Sequence, residues 1–154
     1  MTAAVVIAGI GSEYRCDDGA GPAVARLVAE RLSGVTNIGP VGEPLDLLGK
    51  WDDAELAVII DTVRSGRAPG TIQIFELDGV LEDSLVASET TSTHGIGFVG
   101  ALRIAQAIES VPRRAVLVAI EGTTFAAGTS LSPAVSHAVE DAAAQVVALV
   151  EGAR

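Results

Sequence analysis

The chain alternates short, almost wholly apolar runs with stretches of helical period, and that alternation limits its fold more than any other feature. Residues 1–8 (MTAAVVIA), 56–60 (LAVII) and 115–120 (AVLVAI) are brief and apolar nearly throughout. Such runs read as strands buried on both faces, and strands of that kind belong to sheets covered by helices on two sides. The helical stretches lie between and after them. Asp17-Asp18-Gly19 precedes a pattern with Pro22 in its first turn and Val24, Leu27, Val28 and Leu32 on one face, closed by Gly34. A second begins at His94 and sets Ile96, Val99, Leu102, Ala105 and Ile108 on one side before Pro112. Ser132-Pro133 gives the last helix an N-cap and a first-turn proline, ahead of Val135, Val139, Ala142, Val146 and Val150. A short extended piece at 35–38 and a short helix at 45–48, near Trp51, complete the outline.

One step departs from simple alternation. Residues 62–70 (TVRSGRAPG) carry two glycines and a proline and have no helical period. The link is shorter than a parallel crossover requires, so the following strand, 71–77 (TIQIFEL), should run antiparallel to 56–60 and sit at an edge. The expected fold is therefore α/β: a single three-layer αβα domain over 1–154. Its twisted sheet should have about five strands, mostly parallel, with one antiparallel member.

Composition removes several functions. With 154 residues, 49% of them apolar, the chain can bury one core and is not a disordered segment. It has 20 acidic residues against 10 basic ones, a formal charge of −10, and Lys50 as its sole lysine. Nucleic-acid binding rests on phosphate neutralisation by clustered Lys and Arg, so nucleic acid is not expected as a partner. No run approaches a bilayer span and no signal peptide is evident, so neither a membrane nor secretion is expected. The single cysteine, Cys16, cannot pair within the chain and points to a reducing, cytoplasmic setting.

Topology singles out three side chains. Asp18 lies on the loop after the first strand, and Asp61 directly follows the central one. The helix beginning at His94 must descend toward the strand that comes next, which puts its start at the sheet's carboxyl edge. Ligands of open α/β sheets bind outside that edge. Two carboxylates and an imidazole suit a divalent first-row metal with positions left open, and close carboxylates otherwise repel unless a cation or shared proton intervenes. Each residue also has a plainer role available. Asp17 or Asp18 could cap the first helix, Asp61 could bond the next loop's amides, and His94 could be a surface histidine. Their convergence is what sets them apart.

Other features carry less. Gly9-Ile10-Gly11 opens a glycine-rich turn, but GIGSEY lacks the third glycine of a dinucleotide fingerprint, and Gly39 stands where a ribose-binding acid would be. Cys16 has no histidine nearby to activate it and reads as a small packed residue. Glu121, at a strand end on the same edge, could assist chemistry or simply hydrogen-bond a neighbouring loop. His137 has no acidic partner at ligand spacing. No GxSxG or HExxH motif is present.

The blocks GIGSEYRCDDGAGPAVA, VIIDTVRSGRAPGTI, STHGIGF and IEGTTFAAGTSLSPAV, which follow one another along nearly the whole chain, together resemble the hydrogenase maturation endopeptidases. That resemblance implies a single αβα fold and removal of a C-terminal extension from a nickel–iron hydrogenase large-subunit precursor after nickel insertion. It implies that Asp18, Asp61 and His94 are the metal-recognising and catalytic residues, and that nickel arrives with the precursor. Two positions depart from the family's pattern. Ser12 stands where GxGN has Asn, and Ser can make similar local bonds; Gly39 stands where many members have Asp. A non-catalytic metal- or precursor-binding module on the same fold, and a nucleotide-binding module, are the alternatives.

Overall fold

The computed structural model describes residues 4–77 and 97–154. Its described strands form one sheet in the order β2-β1-β3-β5-β4. These are β1 (Val5–Gly9), β2 (Val35–Asn37), β3 (Leu56–Val63), β4 (Ile72–Glu76) and β5 (Ala115–Glu121). Parallel pairing joins β2 to β1, β1 to β3 and β3 to β5. Only β4 runs the other way, with Ile72 opposite Ile120 and Glu76 opposite Val116. The mixed sheet expected from the short 62–70 link is present. The structure adds that β4 pairs with β5, which separates it from β3. Every residue of β5 is buried, as are all of β3 but Val63, so these two occupy the interior. β4 carries Gln73 and Glu76 and only half-buried or exposed positions, which suits an edge.

Strand periodicity sorts the apolar side chains into two layers. Val5, Ile7, Leu56, Val58, Ile60, Val116, Val118 and Ile120 point to one face. There they meet Val24 and Val28 of α1 (Ala20–Arg31) and Val135, Ala142, Val146 and Val150 of α3 (Pro133–Ala153). Ala8, Ile10, Ala57, Ile59 and Leu117 point to the other face, against Phe98, Leu102 and Ala105 of α2 (Phe98–Ala107) and against Leu47 and Trp51. Each large aliphatic side chain fully buried this way contributes roughly 1.5–3 kcal/mol. Trp51 fills the second layer and donates its indole N–H to the Ser110 carbonyl at 2.6 Å.

Some local expectations need correction. The short helix near 45–48 is a 3₁₀ turn, Pro44–Leu47. Ile108, expected on the buried face of its helix, forms the C-cap of α2 and is 60% exposed, because the helical path ends just before it. The N-cap of α1 is Gly19, with no side-chain cap bond, so neither Asp17 nor Asp18 takes that role.

Candidate active site at the carboxyl edge

The parallel strands deliver three loops to one edge: 10–19 after β1, 64–71 after β3 and 122–132 after β5. The first and last are stitched together. Cys16 N–H donates to the Gly128 carbonyl at 2.8 Å, Gly128 N–H to Tyr14 at 3.0 Å, and Asp17 N–H to Thr124 at 2.9 Å. Cys16 adopts a left-handed backbone (φ 49°), which non-glycine residues rarely do, and the chain then enters a 3₁₀ turn, Cys16–Gly19. That turn carries both acids.

Asp18 is 1% exposed, and its Oδ2 accepts the Ser12 backbone N–H at 2.8 Å. Arg15 brings a guanidinium nitrogen to 3.7 Å of the same oxygen. Ser12 Oγ in turn accepts the Tyr14 N–H at 3.2 Å, the local bonding expected of a serine in the asparagine position. Gly11 is what lets this loop close. At φ 129° it lies so tight against Asp18 that a Cβ there would meet the Asp18 carbonyl oxygen at 2.0 Å and its carboxyl carbon at 3.1 Å.

Asp61 is 4% exposed, on the same sheet face as Ala57 and Ile59, the face that α2 covers. Its Oδ1 accepts the Thr62 N–H at 2.8 Å. The preceding residue, Ile60, accepts the Ile10 N–H at 2.8 Å. Asp61 therefore follows one partner of this bond, and Asp18 rests on Gly11, which follows the other. Asp61 thus stands near the end of β3, and Asp18 packs on the loop that leaves the adjacent strand β1; both carboxylates are buried. His94 lies outside the described residues, and the helix expected to begin there begins instead at Phe98, after Gly97 at φ 81°. Among the described residues no three His, Cys, Asp or Glu side chains group as metal ligands, so Asp18 and Asp61 are the described members of the expected trio.

A shallow crevice of about 330 Å³ opens beside Asp18, between Gly11–Tyr14 and Pro40–Gly42. Gly39 lines a neighbouring recess of about 240 Å³ with Gly9, Pro22 and Arg26. A Cβ at Gly39 would sit 3.2–3.3 Å from Gly9 and Val41 backbone atoms. A side chain at position 39 would thus crowd the neighbouring backbone.

Asp17 and Glu121 prove to be structural acids of the same edge. Asp17 is fully buried. Its Oδ1 accepts Ser132 N–H at 2.7 Å, and its Oδ2 accepts Thr123 N–H at 2.9 Å, Thr124 N–H at 3.0 Å, Ser132 Oγ–H at 3.0 Å and Thr123 Oγ1–H at 3.2 Å. Burial acts to raise its pKa, but the bonds from Ser132, Thr123 and Thr124 together outweigh it and hold the carboxyl below its ordinary 3.8. Glu121, 3% exposed, accepts Ser65 N–H at 2.8 Å and Ser65 Oγ–H at 2.5 Å, so it bonds a neighbouring loop. The loop bond is one of the two roles expected of Glu121; its particular partner, and the Asp17 contacts, leave no local spacing signal because the segments lie far apart in sequence. Cys16 is a free cysteine whose sulfur lies against Gly128, and His137 is exposed on α3.

The mixed five-stranded sheet covered by helices on both faces defines an α/β class of protein. A family model described as "HycI: Hydrogenase maturation protease" matches residues 35–149, and the chain belongs to that family: it is a peptidase of hydrogenase maturation. The fold agrees. The hydrogenase maturating endopeptidase HybD from E. coli superposes with a TM-score of 0.81 at 21% identity, over 97% of this chain and 93% of that one. The [NiFe] hydrogenase maturation protease HybD from Thermococcus kodakarensis gives 0.77 at 26% identity, over 96% and 99%. An endopeptidase HycI from Escherichia coli gives 0.73 at 20%, over 94% and 90%. No curated protein matches the chain significantly by sequence.

Proposed function

We propose that this peptidase removes a C-terminal extension from a nickel–iron hydrogenase large-subunit precursor once nickel is in place, and that Asp18, Asp61 and His94 recognise that nickel as part of the substrate. The observation that carries the reading is the burial of two carboxylates, Asp18 and Asp61, where the adjacent strands β1 and β3 end, with a crevice opening at Gly11 and Ser12, which contact Asp18. Carboxylates and an imidazole suit a divalent first-row ion. Ser12 N–H and Thr62 N–H each hold one carboxylate oxygen, which orients both acids before substrate arrives. The reaction is hydrolysis: water adds its oxygen to the scissile carbonyl carbon, the C–N bond breaks, and a proton passes to the leaving amine. The acids at this edge are the bases available to take the proton that water gives up.

The shallow crevice accommodates an extended polypeptide better than a small ligand. No helix among the described residues is long and apolar enough to cross a membrane. The free Cys16 suits a reducing compartment, so the cytoplasm is the proposed setting. The test is incubation with nickel-loaded and nickel-free precursor, followed by intact-mass analysis. Loss of the C-terminal extension from the loaded form alone is expected. Equal cleavage of both forms, or cleavage of neither, would defeat the nickel-gated reading.

A further inference from the structure

The proteolytic reading uses the acids of the carboxyl edge and leaves its cations unexplained. In this acidic chain several arginines pair with carboxylates: Arg26 with Glu13, Arg31 with Glu140, Arg113 with Glu55 and Arg114 with Glu76. Arg64 does not. Among the described residues no carboxylate lies within ion-pair distance of it, although it is exposed and stands close after Asp61 at the end of β3.

Arg64 is nonetheless held. Its guanidinium carbon lies 4.5 Å above the centroid of the Phe125 ring, which is only 8% exposed. Cation–π attraction holds the guanidinium over the ring without using up its N–H donors. The ring is fixed in turn, because Phe125 packs at Gly122, next to the Thr62 methyl. The chain beyond Arg64 is clasped as well: Ser65 gives both its N–H and its hydroxyl to buried Glu121, and Gly70 N–H donates to the Glu121 carbonyl at 2.8 Å. Arg67 is committed locally, donating to Ser65 Oγ at 2.9 Å. An extended chain rises about 3.3 Å per residue, so Arg64 lies within about 10 Å of Asp61 along the backbone.

We infer that Arg64, shelved on Phe125, is a specificity-determining residue that receives a carboxylate of the substrate polypeptide beside the Asp18–Asp61 site. The carboxylate belongs either to an acidic side chain near the scissile bond or to the chain terminus of the extension. A carboxylate is the acceptor that pairs most strongly with a guanidinium held in place in this way. A cation with no carboxylate partner among the described residues, on this edge of a protein with net charge −10, also offsets repulsion of an incoming carboxylate. The inference rests on the reading of the chain as a precursor-processing peptidase.

The test uses unprocessed, nickel-loaded large subunit isolated from cells lacking this peptidase, with binding and cleavage measured separately. Arg64→Gln is expected to raise both Kd and KM about tenfold with kcat within about twofold, and Arg64→Lys to recover part of the loss. Two altered precursors separate the sources: one with the tail's Asp and Glu changed to amides, the other ending in a C-terminal amide. One of them should weaken binding to the wild-type peptidase and add no loss to Arg64→Gln. Wild-type Kd for Arg64→Gln, or full penalties from both tail changes in that variant, would overturn the inference. Failure of the wild-type protein to cleave, with the Kd difference intact, would instead count against the processing reading alone.

Discussion

Asp17 and Asp18 are adjacent in the chain, yet they hold different loops. The Asp17 carboxylate gathers Thr123, Thr124 and Ser132 from the segment after β5, while the Asp18 carboxylate takes the Ser12 amide from the segment after β1. The left-handed Cys16 and the tight 3₁₀ turn that follows make this split possible. One acid builds the edge of the sheet; the other stands at the site that edge supports.

Asp17→Asn should therefore damage stability. An amide can present one oxygen, but its NH₂ then faces donors that both carboxylate oxygens now accept. Lost charge-assisted bonds and unsatisfied buried donors predict a cost of about 2–4 kcal/mol, read as a lower urea midpoint with an unchanged slope. Asp18→Asn keeps a side-chain oxygen for the Ser12 amide and should shift that midpoint less while abolishing precursor processing. Equal midpoint losses for the two variants would contradict the division of roles.

The lowered pKa of Asp17 gives this contribution a pH signature. A depressed carboxyl contributes stability that is complete above the unfolded-state value and is lost as pH falls through the folded-state value. The ordinary value is 3.8, so the stability gap between wild type and Asp17→Asn should be constant near neutrality and shrink below about that pH. Urea titrations at neutral pH and in acid check it. A gap that widens in acid would reverse the sign.

Much of this architecture is legible in the residues, and the exceptions share a cause. Val135, Val139, Ala142, Val146 and Val150 mark the buried stripe of α3, and all five are buried. The runs at 56–60 and 115–120 read as interior strands because an exposed face would show polar residues, and they are interior. The partner of β4 was not legible. A short link fixes its direction, but only competition for the interior place decides that β5 lies between β4 and β3. The positions of Asp18 and Asp61 follow from strand ends and loop order. The Asp17–Ser132 and Glu121–Ser65 bonds do not, because a hydrogen bond between distant loops leaves no periodic trace in the sequence.

Ser65→Ala tests the Glu121 clasp. The Ser65 hydroxyl donates to Glu121 Oε1 at 2.5 Å, and Glu121 is 3% exposed, so its loss strands a buried carboxylate oxygen. A cost of about 1–3 kcal/mol is expected, together with faster amide exchange across 64–70. The Gly70 amide, which donates to the Glu121 carbonyl, is the most informative probe. Unchanged exchange there would show that the loop is held by other contacts.

Gly21→Ala tests the packing that positions the site itself. Gly21 lies in the first turn of α1, where a Cβ would stand 2.5 Å from the Ile60 carbonyl oxygen and 2.8 Å from that of Ile10. Both obstacles are backbone, so no rotamer change can relieve the clash; the helix start must move off the strand ends. A cost of at least about 3 kcal/mol is expected, at the upper end of what overpacking does in cores. Asp18 lies in the turn that leads into this helix, and the two atoms contacted belong to Ile10 and Ile60, which are hydrogen-bonded to each other and immediately precede Gly11 and Asp61. Whatever protein folds should thus process precursor poorly even at a temperature where it is fully folded. Processing at the wild-type rate by folded Gly21→Ala would show that the α1–strand contact serves stability only.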